Sequence, residues 1–365
     1  MQSVPNKVKC YRFEQEGGEL KMGMKQMQKM KDSEVCIKEH LCALSSADEI
    51  TRFNLVDAPK DQWNGVPGCT VVGEVVKCGE KAMMGEGKKA REGMHVVACS
   101  GYGGLAEFCV VEASMCCELS KAQAASMHEM ACVGGWCAAR VHCAWMDWEK
   151  RMKSMDKEML MMRDMMSAKM GMRGEGCVCV YGEGGYAKLA CDLLKTMMRH
   201  SGHKSMSKAQ VLLVTPSDRW AASDYGMAQD CVLCIGKCDL PGELKKKGGV
   251  MWCCATDMPS QWCPELMAGM RYGCEMVVLN PCKNEEMKLP MGMMLAKHLT
   301  ICGEPMPSSL AMKDCLAMCE KAGVKVKTEC VKFDDENKVK EAWRKMEQGE
   351  CFEAPVVEVM QGGRI

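Results

Sequence analysis

The spacing of hydrophobic and polar positions divides the 365-residue chain into parts of different character. The first part contains short runs in which apolar residues alternate with polar ones or follow one another directly, and such runs predict β-strands. A Pro67-Gly68 pair precedes one run and Gly73 lies inside it, which is typical of a sharply bent, barrel-like sheet. The strands predicted in this part are Glu34–Glu39, Val71–Val76, His95–Ala98 and Ala106–Val111.

Beyond residue 176, apolar runs alternate with segments that favour helix. This alternation predicts a doubly wound parallel sheet, because parallel strands need a crossover connection between them. The last 60 or so residues add two amphipathic helices, near Leu310–Ala322 and Asn337–Gln348, and a final strand, Ala354–Val359. The strands predicted for the parallel sheet are Cys177–Val180, Gln210–Val214, Cys231–Ile235, Val250–Ala255, Glu275–Leu279 and Leu299–Cys302.

A charged, methionine-rich stretch, Trp145–Met172, separates these two parts. Its methionines recur at steps of three and four residues, which predicts one helix with a methionine face. We expect this face to pack on a domain; a partner-binding or membrane-surface helix is the alternative. The methionines of the face are Met152, Met155, Met159, Met162 and Met166.

A glycine-rich turn follows the first strand of the second part and opens a helix. Gly182, Gly184 and Ala187 occupy the three small-residue positions of a G-x-G-x-x-A pattern. In dinucleotide-binding folds the first glycine permits the turn, the second lets the backbone approach a pyrophosphate, and the third packs helix on strand. The turn therefore predicts a dinucleotide site that includes Gly185 and Tyr186; a tight turn without a ligand is the alternative.

Composition narrows the classes of partner. Lys and Arg together number 48, as do Asp and Glu, so the formal net charge is zero. A neutral chain argues against nucleic acid or an anionic membrane as partner. The first residues have no apolar signal core and no run approaches a membrane span, so we expect a cytoplasmic protein. The 28 cysteines lie scattered in apolar runs and are interpreted as reduced, buried thiols.

The order of several segments resembles the medium-chain dehydrogenase/reductase superfamily. The resemblance covers nearly the whole chain and depends on the succession of its parts. The matching segments are EVCIKEHLCALSSAD (34–48), GVPGCTVVGEVVKCGE (65–80), EGMHVVA (92–98), GGLAEFCVV (103–111), KHLTICG (297–303) and EAWRKMEQGECFEAPVVEV (341–359).

This resemblance implies an α/β fold of two domains. A GroES-like β-rich catalytic domain would comprise residues 1–140 and 305–365, and a doubly wound Rossmann nucleotide-binding domain residues 141–304. Relatives commonly dimerise through an edge strand of the nucleotide domain. The resemblance therefore implies a homodimer with the region around Glu275–Leu295 at its interface.

The metal ligands of zinc-dependent members are not matched. The first cysteine ligand would fall at Ser45 and the His-Glu pair at Cys69-Thr70, and the cysteine-rich structural-zinc lobe is missing. The chain thus resembles the zinc-free branch, with its quinone oxidoreductases and enone and enoyl-thioester reductases, and we expect no metal. A rebuilt site from Cys42, Cys69 and either Glu129 or Cys132 is the alternative.

The residue that ends the second Rossmann strand predicts the cofactor. An acid there holds the ribose hydroxyls of NAD, but this chain has Thr215. Ser217 and Arg219 follow and could bind a 2′-phosphate, so NADPH is expected. Asp218 could instead act as the NAD acid, or Ser217 and Asp218 could simply cap the next helix. Ala255 and Asn280, near the ends of later strand runs, complete the expected cofactor contacts.

The resemblance also suggests the reacting groups. Without zinc, the developing charge on a hydride acceptor needs hydroxyl, amide or backbone donors. Candidates are Ser45, Asp48, Arg52 and Tyr102; for Asp48 the alternative is a helix cap without a catalytic role. The expected reaction is NADPH-dependent reduction of a quinone or an α,β-unsaturated carbonyl. Alternatives are a zinc-dependent alcohol dehydrogenase with altered ligands and a nucleotide-binding protein with a non-catalytic interaction role.

Overall fold

The structure is a computed structural model, and it describes residues 4–55, 63, 65–201, 208–256, 263–280 and 288–359. Residues 1–140 and 306–365 form one compact unit, called here the first unit, and residues 141–305 form the second unit. Residues 281–287 of the expected interface Glu275–Leu295 lie outside the described residues. In the described part, no helix is both long and apolar enough to cross a membrane.

Strands and helices are numbered in chain order. The strands are β1 (Lys7–Phe13), β2 (Leu20–Gln26), β3 (Glu34–Ala43), β4 (Thr70–Cys78), β5 (His95–Cys99), β6 (Phe108–Glu112), β7 (Cys116–Glu118), β8 (Cys177–Tyr181), β9 (Gln210–Thr215), β10 (Val232–Cys234), β11 (Val250–Ala255), β12 (Met270–Val278), β13 (Thr300–Gly303), β14 (Thr328–Lys332) and β15 (Ala354–Glu358). The helices are α1 (Glu49–Arg52), α2 (Lys121–Ala124), α3 (Met127–Val133), α4 (Trp136–Ser154), α5 (Lys157–Lys169), α6 (Gly184–His200), α7 (Leu240–Lys246), α8 (Cys263–Ala268), α9 (Met291–Lys297), α10 (Ser309–Ala322) and α11 (Glu336–Glu347).

The second unit is built on a six-stranded parallel sheet in the order β10-β9-β8-β11-β12-β13. Every residue of β8 and β11 is buried, which explains their continuous apolar sequences. The chain leaves β8 toward one edge through β9 and β10, then returns to the other side of β8 for β11. The point of reversal between β8 and β11 is where doubly wound sheets bind ligands.

Aromatic packing fixes helix α4 against this sheet. Trp145 and Trp148 on α4 lie with ring centroids 5.1 Å apart, and Trp145 meets Trp252 of β11 edge-to-face at 5.5 Å. All three rings are at most 3% exposed. Such pairs add about 0.5–1.5 kcal/mol each to the free energy of area burial, so they anchor α4 to the central strands.

The first unit contains a seven-stranded sheet centred on β3. This strand pairs antiparallel with β4, β15 and β6, and its register with β4 shifts twice. Gly73 of β4 lies so close to β3 that a Cβ atom there would be 2.2 Å from the carbonyl oxygen of Lys38. The glycine inside the predicted strand therefore marks a close approach of two backbones.

The predicted fold class is confirmed: an α/β chain with a β-rich unit and a doubly wound parallel sheet. The single methionine-rich helix predicted over Trp145–Met172 is wrong, since α4 ends at Ser154 and α5 begins at Lys157. The carboxylate of Asp156 accepts a hydrogen bond from the Met159 amide at 2.7 Å and so starts a new helix. Met152 is buried while Met159 and Met162 are exposed, so the predicted methionine face does not pack as one surface.

Candidate functional site

The glycine turn lies at the carboxyl end of β8, at the reversal point of the parallel sheet. Gly182 has φ of +155°, and a Cβ atom there would be 1.9 Å from the Thr256 hydroxyl oxygen, just beyond β11. Thr256 cannot retreat easily, because its backbone amide donates to the Tyr181 carbonyl at 2.8 Å. Position 182 therefore requires glycine, and the close approach links β8 to β11.

Helix α6 starts directly from this turn and runs for 17 residues. Gly184, with φ of +73°, is its first residue, and its backbone amide donates to the Tyr225 hydroxyl at 3.3 Å. Ala187 is fully buried against the strands, as the pattern predicts for its third small position. Gly185 and Tyr186 lie between them in the first turn of α6.

A carboxylate occupies the turn itself. Glu183 accepts a short hydrogen bond from the Ser217 hydroxyl, and the Ser217 oxygen accepts the Arg219 amide at 3.2 Å. Burial raises the pKa of Glu183, while the Ser217 bond and the charge of Arg219 partly offset this effect. Two of the expected phosphate-binding residues, Ser217 and Arg219, thus interact with Glu183 of the glycine turn.

The other expected cofactor residues lie at or near the ends of the neighbouring strands. Thr215 ends β9 and Ala255 ends β11, and both are buried; Asn280 follows β12 and is 1% exposed. The Asp218 carboxylate forms an exposed ion pair with Lys237 at 3.1 Å, which lowers the pKa of Asp218. The structure therefore brings Thr215 and Ser217 to the edge of the sheet that carries the glycine turn.

The backbone of this edge fits a dinucleotide, and two side chains modify the fit. The glycine turn, the long helix that follows and the strand order all have the form of a pyrophosphate-binding crevice. Glu183 adds a negative charge there, and Tyr225 takes up one amide that a phosphate would use. Sequence reasoning missed both side chains. Glu183 lies inside the G-x-G-x-x-A pattern, so the sequence could have indicated its role. Tyr225 lies far from the pattern in the chain, and no sequence spacing relates it to the glycine turn.

In the first unit, Asp48 is a fully buried carboxylate held by backbone amides. Its oxygens accept hydrogen bonds from Ser45 at 2.9 Å and from Gly68 and Cys69 at 2.8 Å each. Burial raises the pKa of Asp48, and these hydrogen bonds act in the opposite direction. Asp48 therefore connects the turn before α1 to the Pro67-Gly68 turn, in addition to the capping role that the sequence suggested.

Arg52 is fixed by contacts on several sides. Its guanidinium donates to Glu347 of α11 at 2.5 Å and to the carbonyl oxygens of Gly18 and Gly17 at 3.1 and 3.3 Å. The same group lies 5.2 Å from the centre of the Phe53 ring. Arg52 therefore connects α1 to the Gly17-Gly18 turn and to α11 within the first unit.

Ser45 and Tyr102 have opposite surroundings. Ser45 is 4% exposed and donates its backbone amide to Asp48, whereas the Tyr102 side chain is 55% exposed. Tyr102 borders a cavity of about 440 Å³ in the first unit, together with Lys25, Cys99, Cys109 and Met306. A hydrogen bond from the Ser45 amide to the Asp48 carboxylate joins two of the predicted residues. Within the described residues, the structure records no bond between Tyr102 and Ser45, Asp48 or Arg52.

The residues at the expected zinc positions do not form a ligand set. The Cys69 thiol donates to the Gly101 carbonyl oxygen at 3.1 Å, and burial raises the pKa of Cys69 well above its usual value. Among the described residues, Cys42 and Cys69 form no group with Glu129 or Cys132 in which all ligating atoms lie within 4.8 Å of one another.

Residues 31–121 match the family model of the alcohol dehydrogenase GroES-like domain. The match includes β3 to β7 and the predicted residues Ser45, Asp48, Arg52 and Tyr102. Comparison with curated protein sequences gives no match.

Solved structures with the same fold cover nearly the whole chain. A cinnamyl alcohol dehydrogenase from Sorghum bicolor is 15% identical, with a TM-score of 0.68 over 96% of this chain and 97% of that one. A quinone oxidoreductase from Pseudomonas syringae is 14% identical, with a TM-score of 0.67 over 96% and 100%. The human synaptic vesicle membrane protein VAT-1 homolog-like protein is 15% identical, with a TM-score of 0.62 over 98% and 100%. The chain is similar to these proteins in fold.

Glu49, the residue after Asp48, is a buried carboxyl group whose titration can be tested. Burial raises the pKa of Glu49 to about 7, with Arg52 lowering it and Glu347 raising it. The folded protein keeps this proton up to about pH 7, whereas the unfolded chain releases it near pH 4.5. Between these two pH values, the contribution of Glu49 to the free energy of unfolding therefore falls as pH rises. We expect the stability of Glu49→Gln, relative to the unsubstituted protein, to increase by about 2–3 kcal/mol over that interval and then level off.

Urea unfolding at several pH values measures this difference. Glu158→Gln, which alters an exposed acid on α5, is the control and should show no such trend. A Glu49→Gln difference that is independent of pH would contradict the assigned titration.

Proposed function

We propose that this protein is an oxidoreductase that uses NADPH to reduce a quinone or an α,β-unsaturated carbonyl compound without zinc. The observation that carries the proposal is the glycine turn at Gly182–Ala187, opening α6 at the reversal point of the six-stranded parallel sheet. The match of residues 31–121 to an alcohol dehydrogenase domain supports the same class of chemistry.

The chain's own residues would hold the coenzyme at this edge. The backbone of Gly182, Gly184 and Gly185 would approach the pyrophosphate, with the amino end of α6 providing its partial positive charge. Tyr225, which already accepts the Gly184 amide, could donate its hydroxyl hydrogen to a phosphate oxygen. The bound nicotinamide would supply the hydride.

The preference for NADPH depends on charge beyond β9. Thr215 offers no carboxylate to the ribose, and the acid that follows it in the same loop, Asp218, is paired with Lys237. Arg219 is exposed on the same loop, and its guanidinium lies 5.4 Å from the centre of the Trp220 ring. An arginine in this position can bind a phosphate with two parallel hydrogen bonds.

On the acceptor side, the four predicted residues would have two kinds of role. Ser45 and Tyr102 carry hydroxyl groups that can donate to a substrate oxygen as negative charge develops there. Asp48 and Arg52 would act as positioning residues, since their hydrogen bonds connect the turns around Ser45 and Gly68 to the rest of the first unit. Protonation of the reduced product would come from solvent.

Two other functions are favoured by particular observations. A zinc-dependent alcohol dehydrogenase with altered ligands agrees with the Sorghum bicolor neighbour. A nucleotide-binding protein with a non-catalytic interaction role agrees with the exposed methionines of α5, which a partner could contact.

Measuring turnover with a panel of quinones and enals separates the three functions. We expect oxidation of NADPH that survives treatment with a strong chelator. Turnover that disappears with the chelator and returns with zinc would favour the alcohol dehydrogenase. Tight NADPH binding without turnover on any acceptor would favour the non-catalytic role.

Substitution of Arg219 tests the cofactor. Arg219→Ala should weaken NADPH binding by about 10- to 150-fold, because one charge-assisted contact of about 1.5–3 kcal/mol is lost, and should leave NADH binding unchanged. Fluorescence titration with both nucleotides measures the two dissociation constants.

The matched control is Arg199→Ala, which alters an exposed arginine in the last turn of α6. It should leave both affinities unchanged. Equal losses for NADPH and NADH in Arg219→Ala, or no loss for either, would refute the role given to Arg219.

Glu183 should oppose the binding of both nucleotides. Above its pKa the carboxylate repels a pyrophosphate in the same turn, so affinity should fall as pH rises. Glu183→Gln should therefore bind NADPH and NADH about 3- to 30-fold more tightly at pH 8, and its affinity should depend less on pH. Titrations at a series of pH values from 4.5 upward to 8 would show this. Weaker binding by Glu183→Gln at pH 8 would instead mean that Glu183 assists the nucleotide.

A further inference from the structure

Three side chains of different chemistry meet at the surface of the first unit, away from the residues discussed above. His128 is on α3, Cys330 is on β14 and Glu358 is on β15. Their ligating atoms, one nitrogen, one sulfur and one oxygen, all lie within 4.8 Å of one another. Within the described ranges, this is the one group of three or more such residues that meets this distance.

The strand register holds two of the three on one face. Strands β14 and β15 are parallel, with Cys330 beside Val356 and Lys332 beside Glu358, so Cys330 and Glu358 are diagonal neighbours. The neighbours Val331 and Val357 are buried in the core of the unit, which fixes both strands. The backbone that carries the thiol and the carboxylate is therefore rigid.

Helix α3 brings the third group. This helix contacts both β14 and β15, and the Nε2 atom of His128 lies 3.0 Å from a carboxylate oxygen of Glu358. Cys330 is exposed, and His128 and Glu358 are half-buried. An ion from solvent can thus reach all three without any change in the backbone.

The geometry points to a divalent metal site formed by His128, Cys330 and Glu358, and we propose that it binds zinc. A thiolate, an imidazole and a carboxylate are the three kinds of ligand that zinc takes in proteins, and a water molecule completes a tetrahedron. Zn–S and Zn–N bonds of about 2.3 and 2.0 Å place tetrahedral ligand atoms about 3.5 Å apart. Side-chain rotations that move each ligand atom by about 1 Å would therefore bring the three groups to these distances. Zinc would displace the thiol proton, and the charges of thiolate and carboxylate would balance those of the ion.

The metal would connect distant parts of the chain. His128 and Cys330 are separated by about 200 positions, so the ion would tie α3 to the carboxyl-terminal strands. Because such a site forms only in the folded state, zinc should stabilise the first unit. This site is independent of the proposed coenzyme crevice, and neither proposal depends on the other.

Cobalt titration of the purified, metal-free protein tests the site. One equivalent of Co²⁺ should produce the near-ultraviolet charge-transfer band of a cobalt–thiolate bond, and Zn²⁺ should remove it. Cys330→Ser should lose the band, and His128→Gln and Glu358→Gln should each bind Co²⁺ at least about tenfold more weakly. Cys78→Ser, which alters a partly buried thiol of the same unit, should keep the band and the affinity.

Alkylation of the native protein gives a second measurement. Cys330 is the one exposed thiol among the described cysteines, so iodoacetamide should label it first, and zinc should protect it. Circular dichroism of the metal-free variants establishes that each is folded. A cobalt–thiolate band that persists in Cys330→Ser, or labelling of Cys330 at the same rate with and without zinc, would overturn the proposal.

Discussion

The carboxyl edge of the parallel sheet depends on the missing side chain at Gly182. Any Cβ atom there would meet the Thr256 hydroxyl, and Thr256 is tied through its amide to the end of β8. The carboxyl ends of β8 and β11, on either side of the reversal point, are thus in direct contact at Gly182 and Thr256. Helix α6 begins two residues after this contact, at Gly184.

A carboxylate in each unit, Asp48 fully buried and Glu183 partly buried, shapes its surroundings in a different way. Asp48 has backbone amides on both oxygens, so it joins segments that are separated by about twenty residues. Glu183 has a hydroxyl and a nearby guanidinium, groups that can also bind phosphate. The first arrangement stabilises a fold. The second gives the glycine turn a negative charge when the carboxyl group is ionised, which bears directly on the proposed coenzyme site.

Local sequence pattern predicted those features that depend on neighbouring residues. The limits of β11 agree with its apolar run, and most other strands begin or end within a few residues of theirs. The β1–β2 hairpin was not predicted, because β2 exposes Lys21 and Met24 and buries only Leu20. A single polar residue, Asp156, divides the methionine-rich stretch into two helices, and periodicity alone does not detect such a cap. The contacts of Arg52 with Glu347, of Gly184 with Tyr225 and of His128 with Glu358 join residues far apart in the chain, so they follow only from the tertiary fold.

The methionines of α5 have a chemical consequence for the whole molecule. Met159, Met161, Met162 and Met165 are 44–64% exposed, whereas most of the described cysteines are buried and burial raises the pKa of many of them. Apart from the exposed thiol of Cys330, a peroxide in the surrounding water therefore meets these thioethers before it meets a described thiol. Sulfoxide formation on this helix would make a surface polar without adding volume to either core. The outer turns of α5 can thus absorb oxidative damage while the packed interior keeps its sulfur atoms reduced.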